Sequence, residues 1–266
     1  MLGVRRVRDP CPEVVMSYAV SPGAAPSRKA VTSPRVSSSA RYWFTSVAVV
    51  AWTGLVLQAV VTIGNVYPST GGKYGEIDYH NADGLLGAMG HTLDFLGFFT
   101  TWANLAVAVV ATLLALDPGR DSRLLRAGWM SALMMIVVTA VVQALILGPG
   151  AVHVGWQVPI NALMHQITPV LAVLVWLAAG PRRWMTPRAI PLAMVVPLVW
   201  LGYTLVRGTV ISAYPYGFIN VINLGYATVL VNITGVLVLG VAVCLALWGT
   251  DVVVSRWSER RRGART

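Results

Sequence analysis

Val158-Pro-Ile-Asn-Ala-Leu-Met-His-Gln-Ile-Thr-Pro-Val-Leu-Ala-Val-Leu-Val-Trp-Leu-Ala-Ala179 decides the fold. The run is close to the ~20 residues an α-helix needs to cross ~30 Å of hydrocarbon, and it holds no Asp, Glu, Lys or Arg. Similar runs lie at Tyr42 to Ile63, Leu93 to Leu116, Trp129 to Leu147, Ile190 to Val206 and Leu224 to Trp248. The whole chain agrees with them: 56% of its 266 residues are hydrophobic and 11% charged, where soluble domains run near ~25% charged, and the mean hydropathy is +0.67. The expected fold is an all-α bundle of six transmembrane helices in a polytopic membrane protein.

A formal net charge of +10 would suggest nucleic acid in a soluble protein, so the placement of the charges decides their meaning. They occupy alternate connections. Arg5, Arg6, Arg8, Arg28, Lys29, Arg35 and Arg41 precede the first run, and Arg120, Arg123 and Arg126 follow the second. Arg182, Arg183 and Arg188 follow the fourth, and Arg256, Arg260, Arg261, Arg262 and Arg265 close the chain. Only Lys73 and Arg207 fall on the other side. The positive-inside rule then puts both termini in the cytoplasm of a multi-pass plasma-membrane protein, which requires an even number of spans. Membrane lipids are the expected surroundings, and nucleic acid is not an expected partner.

Residues 1–41 read as a disordered basic tail, rich in Ser, Pro, Ala and Arg, with Met16 as an alternative start. Residues 42–248 form the membrane domain and 249–266 a second basic tail. Cys11 and Cys244 are not expected to pair. No metal-ligand spacing, Walker loop or Gly-x-Ser-x-Gly elbow occurs, so no metal or cofactor is expected. The connection from Gly64 to Thr92 has Glu76, Asp78 and Asp83 against Lys73, with His80 and His91; it reads as a solvated loop or as a lid.

Function turns on the polar residues inside the runs. His165 lies about seven residues into the fourth, ~10 Å deep at 1.5 Å per residue, and an ionisable group there is expensive. Thr100 and Thr101 lie at a similar count into the second, so a base and a nucleophile are expected at one level. Asn161, His165 and Thr168 fall on one helical face, Asn104 lies one turn beyond Thr100, and Arg207, Asn220 and Asn223 lie near the same level. The other halves, such as Ala106 to Ala115 and Val170 to Trp176, are nearly all apolar. The competing account of Asn104, Asn161 and Asn232 is interhelical hydrogen bonding, worth ~0.6 kcal/mol each on average. Asp94 reads as a helix cap or as a partner for His165, and Pro169 and Pro197 as kinks.

A threonine hydroxyl becomes a nucleophile when a neutral imidazole takes its proton. Asn104, Asn161 and Arg207 are the donors expected for the oxyanion that follows. The stretches Phe98-Phe-Thr-Thr-Trp-Ala-Asn-Leu, Asn161-Ala-Leu-Met-His-Gln-Ile-Thr-Pro-Val-Leu and Tyr214-Pro-Tyr-Gly-Phe-Ile-Asn-Val, with Gly225-Tyr, carry a family resemblance. From Arg41 to Trp248 the chain resembles the actinobacterial Pr-six-Pr family of six-span membrane proteins, although Gly217 and Asn220 replace the usual proline and a common aspartate. More distantly it is similar to the androgen-induced and androgen-dependent TFPI-regulating proteins. Those are threonine hydrolases of fatty acid esters, with an intramembrane threonine in the second span and a histidine in the fourth. That resemblance implies a role for Thr101, since it precedes Asn104-Leu105 at the matching distance, and for His165; the bacterial pattern favours Thr100. The expectation is an intramembrane hydrolase of a lipid ester. The alternative is a non-enzymatic protein, either a small-solute or proton-linked transporter or a structural partner in the envelope.

Overall fold

The computed structural model describes residues 38–66, 76–77, 81–82, 84–149 and 151–263. The tail before residue 38, with Cys11 and Met16, and Lys73, Asp78, His80 and Asp83 of the long connection lie outside the described residues. The elements are helical throughout: α1 (Ser38–Ile63), α2 (Gly84–Gly97), α3 (Phe99–Leu116), α4 (Arg123–Val142), α5 (Gln157–Ala162), α6 (Thr168–Ala179), α7 (Ile190–Ala193), α8 (Val195–Ile211) and α9 (Val221–Gly263). Two π-helical turns extend this set, Gln143–Leu147 at the end of α4 and Leu163–Ile167 between α5 and α6. Six helical stretches are long and apolar enough to cross a membrane: Ser39–Ile63, Phe99–Leu116, Arg123–Leu147, Gln157–Ala179, Pro187–Ile211 and Val221–Arg261. The chain is therefore an integral membrane protein with the all-α, six-span architecture expected.

Lipid offers no hydrophobic drive between helices, so close packing of small residues brings them together. α1 packs most extensively on α3, through buried Ala48 and Ala51 against Ala103, Val107, Ala108 and Ala111. α4 is the most buried span and carries Trp129, Met130, Leu133, Met134, Met135 and Ile136 at the centre; the Trp129 ring meets Phe44 edge-on at 5.8 Å. At one end Arg41 donates to the Ala115 and Leu116 carbonyls at 3.0 and 2.8 Å, Arg126 lies 5.8 Å over the Trp184 ring, and Arg183 pairs with Glu259. The arginines of alternate connections thus gather at one end of the bundle.

Three boundaries differ from the sequence reading. α1 begins at Ser38, inside the segment read as tail, and α9 continues past Trp248 to Gly263 with a kink at Gly225, whose φ of 71° favours glycine. The third is the most consequential. Leu93 to Leu116 is not one helix: it breaks at Phe98, where φ is −82° and ψ 129°, so Leu93 to Gly97 belong to α2. A broken helix in a bilayer must re-satisfy its freed carbonyls. Thr101 donates to Phe95 at 2.8 Å, Trp102 to Leu96 at 2.8 Å, and Trp200 and Thr204 of α8 to Gly97 at 2.8 and 3.3 Å.

Candidate active site

The break puts Thr100 in the first turn of α3 rather than two turns inside a continuous helix. It still faces the fourth span. The Thr100 Oγ1 atom lies 3.1 Å from His165 Nε2, in the middle of the π turn Leu163–Ile167. If imidazole accepts the Thr100 proton, Nδ1 must carry its own hydrogen. Nδ1 finds no partner with hydrogen-bond geometry, and the Asn161 carbonyl one turn back is the polar group acting on the ring. The Thr101 hydroxyl is instead committed to the Phe95 carbonyl.

Pro169 accounts for much of this arrangement. In the π turn the Thr168 amide bonds the Leu163 carbonyl, five residues back. Met164 would need the amide of residue 169, and proline has none. Asn104 supplies the missing donor: its Nδ2 reaches Met164 O at 3.2 Å and Thr100 O at 2.9 Å. The side chain thereby ties the backbone at the hydroxyl to the backbone beside the imidazole. Gly54 of α1 permits the close approach from behind, since a Cβ there would stand 3.0 Å from Met164 Cγ.

Thr100 and His165 stand where two cavities meet. One is a narrow chamber of about 60 Å³, lined mainly by apolar side chains and reaching Met134, Met194 and Gly240 near the middle of the bundle. The other is a more polar vestibule of about 200 Å³ with Gln58, Gln143, Thr101 and Phe98 in its walls. Both are also lined by Leu147 and Tyr216. Gln143 and Leu147 bound one π turn and His165 centres the other. π turns are rare and concentrate at functional sites, and here two converge on the same pair of side chains.

The remaining residues named from the sequence fall elsewhere. Both Asn104 amide hydrogens are directed at carbonyls, which leaves none for an oxyanion. The extra residue of the π turn rotates the helix faces, so of Asn161, His165 and Thr168 only His165 lines either cavity. Arg207 donates to Asp94 at 2.5 Å, and Asn81 also donates to Asp94, at 2.7 Å, so neither Arg207 nor Asp94 serves the pair. Asp94 is also well inside α2 and caps nothing. Asn220 accepts from the Ile222 and Asn223 amides at 3.1 and 3.3 Å, and Asn232 donates to Phe218 O at 2.8 Å.

Gln58, Gln143, Tyr216 and the chamber residue Thr139 were not singled out in the sequence. Glutamines inside apolar runs were the available signal for the first two. Tyr216 follows α8 in sequence and is brought in by tertiary packing. Tyr214, two residues before it, fills the space over Gly208 and accepts the Ile77 amide at 3.0 Å, so part of the long connection docks on this segment. Among the described residues no group of three or more His, Cys, Asp or Glu side chains is placed to hold a metal ion. In comparison with known proteins the chain matches no family model, no curated protein and no solved structure.

Proposed function

We propose that this protein is an intramembrane hydrolase of long-chain acyl esters, with Thr100 as nucleophile and His165 as general base and then general acid. The observation that carries the reading is the 3.1 Å contact between Thr100 Oγ1 and His165 Nε2 at the junction of a polar vestibule and an apolar chamber. An ester has the same two-sided character. Its acyl chain enters the chamber, which follows α4 for roughly 20 Å from Leu147 to Met134 at 1.5 Å per residue, and its alcohol side rests in the vestibule. His165 takes the Thr100 proton as Oγ1 adds to the carbonyl carbon, then returns it to the departing alkoxide. Water attacks the acyl-threonine with His165 again as base, releasing the acid and restoring the hydroxyl.

Thr100 is preferred to Thr101 because the Thr101 hydroxyl is held by a carbonyl freed at the helix break. The resemblance to the six-span and threonine-hydrolase families supports the same pair of spans. The apolar far end of the chamber offers no polar path for a solute, which favours hydrolysis over transport. The arginine-rich end faces the cytoplasm of the plasma membrane, and the site lies toward the outer leaflet. Purified protein in detergent is expected to hydrolyse p-nitrophenyl esters of long-chain acids. Activity should fall by at least ~10³-fold in both Thr100→Ala and His165→Ala, since losing one member of a catalytic pair removes most of the rate. Equal activity in wild type and Thr100→Ala contradicts the assignment.

A further inference from the structure

We infer that Tyr216 donates the hydrogen bond that stabilises the oxyanion when Thr100 adds to the ester carbonyl, an inference that rests on the hydrolase reading above. Every oxyanion site needs a donor near the attacked carbonyl, and of the side chains named from the sequence Asn161 lines neither cavity while the others are engaged elsewhere. The Asn104 hydrogens are on two carbonyls and Arg207 is on Asp94. Tyr216 is buried and lines both chamber and vestibule beside Thr100 and His165.

Its ring is held on three sides. It stacks on Phe218 with centroids 5.4 Å apart and 10° between planes, meets Phe98 edge-on at 5.7 Å, and lies 6.3 Å from Trp200. Its hydroxyl interacts with the Thr100 side chain and with the backbone of Thr100 and Phe99. Those are first-turn amides of α3, which have no acceptor within their own helix. Backbone amides at the phenolic oxygen leave its single hydrogen free to turn toward an oxyanion that forms beside Thr100. Amide donation also withdraws charge and makes the O–H a stronger donor. Burial raises the Tyr216 pKa, against the opposing influence of Thr100 and Phe99, so the phenol keeps its proton in the resting site.

The step balances within these groups. Thr100 loses its proton to His165 Nε2, the Oγ1–C bond forms, and the carbonyl π pair moves onto oxygen as negative charge. Oγ1 then becomes an ester oxygen and a poorer acceptor, while the new oxyanion, one atom removed, becomes a strong one. The Tyr216 hydrogen bonds the oxyanion, and that bond is charge-assisted. When the carbonyl re-forms, the C–O bond to the alcohol breaks and the alkoxide takes the proton from His165.

Tyr216→Phe in the full chain keeps the ring and removes the donor. Hydrolysis of p-nitrophenyl palmitate is expected to lose ~10²- to 10³-fold in kcat, the usual effect of deleting one oxyanion donor, with KM within about twofold of wild type by the same reasoning. Wild-type kcat in Tyr216→Phe, a change confined to KM, or a comparable kcat loss in Gln143→Leu with Tyr216→Phe unaffected would overturn the inference. Should Tyr216→Phe fold poorly, 3,5-difluorotyrosine at position 216 preserves ring and hydroxyl. It should move the alkaline limb of the kcat profile to lower pH, and an unmoved limb counts against the inference. If Thr100→Ala is inactive while Tyr216→Phe retains full activity, only the role of Tyr216 fails. If wild-type protein hydrolyses no ester, both readings fall.

Discussion

Two adjacent hydroxyls of the same chemistry are given different work by their partners. Thr101 Oγ1 is 2.8 Å from the Phe95 carbonyl, and Thr100 Oγ1 is 3.1 Å from an imidazole nitrogen. Thr101→Val should therefore act on stability, costing roughly 0.6–2 kcal/mol as a membrane hydrogen bond is lost, while retaining most of the hydrolytic rate; thermal unfolding in detergent and ester turnover separate the two effects. Asn104→Leu deletes a shared donor: it frees the Thr100 and Met164 carbonyls together and loosens both sides of the pair. His165 stood out in the sequence because an ionisable group inside an apolar run demands a reason. The choice between Thr100 and Thr101 was not legible, since it depends on a carbonyl freed at a break that no proline marks. Tyr216 lies in the quoted Tyr214-Pro-Tyr-Gly-Phe stretch but was given no role, because a tyrosine after an apolar run is ordinary at a membrane interface.

At the level of elements, the site is built from departures from regular helix. The break at Phe98 exposes the first turn of α3, Pro169 leaves the Met164 carbonyl for Asn104, and two π turns frame the cavities. Six spans were legible from apolar runs of the right length. The break and the π turns were not, because local hydropathy is the same whether a residue bonds three, four or five positions away. Gly208 supports this assembly from outside: a Cβ there would stand 2.1 Å from the Tyr214 ring. Gly208→Ala is expected to unseat Tyr214 and shift Tyr216 with it, at a cost of ~1–3 kcal/mol for overpacking, read as a lower midpoint of thermal unfolding and slower turnover. At the chamber's far end, a Cβ on Gly240 would lie 3.3 Å from Met134 Sδ. Gly240→Leu should shorten the chamber and shift ester preference from long toward shorter acyl chains, measurable as a ratio of kcat/KM values.

For the whole molecule, the gathering of arginines at one end is what the proposed cytoplasmic orientation rests on. The opposite end carries the vestibule and the Asp94–Arg207 pair, whose side chains are 5% and 13% exposed. Asn81, just before α2, joins that pair by donating to the same Asp94 carboxylate that Arg207 of α8 engages. A cysteine placed at Glu76 should be labelled by a membrane-impermeant maleimide in intact cells, and one placed at Asp121 only after permeabilisation. Labelling of the Asp121 position in intact cells would invert the orientation. Charge alternation made this end-to-end asymmetry legible in the sequence, because it is written in loops rather than in contacts.

The central claim is that Thr100, activated by His165, is the nucleophile. A fluorophosphonate tests it most directly, since the attacking oxygen displaces fluoride and remains bonded to phosphorus at the residue that attacked. Peptide mapping of the labelled protein by mass spectrometry should place the adduct on Thr100, with labelling abolished in Thr100→Ala, strongly reduced in His165→Ala and intact in Thr112→Ala. An adduct on Thr101 or Thr139, or no adduct on folded protein, would contradict the account.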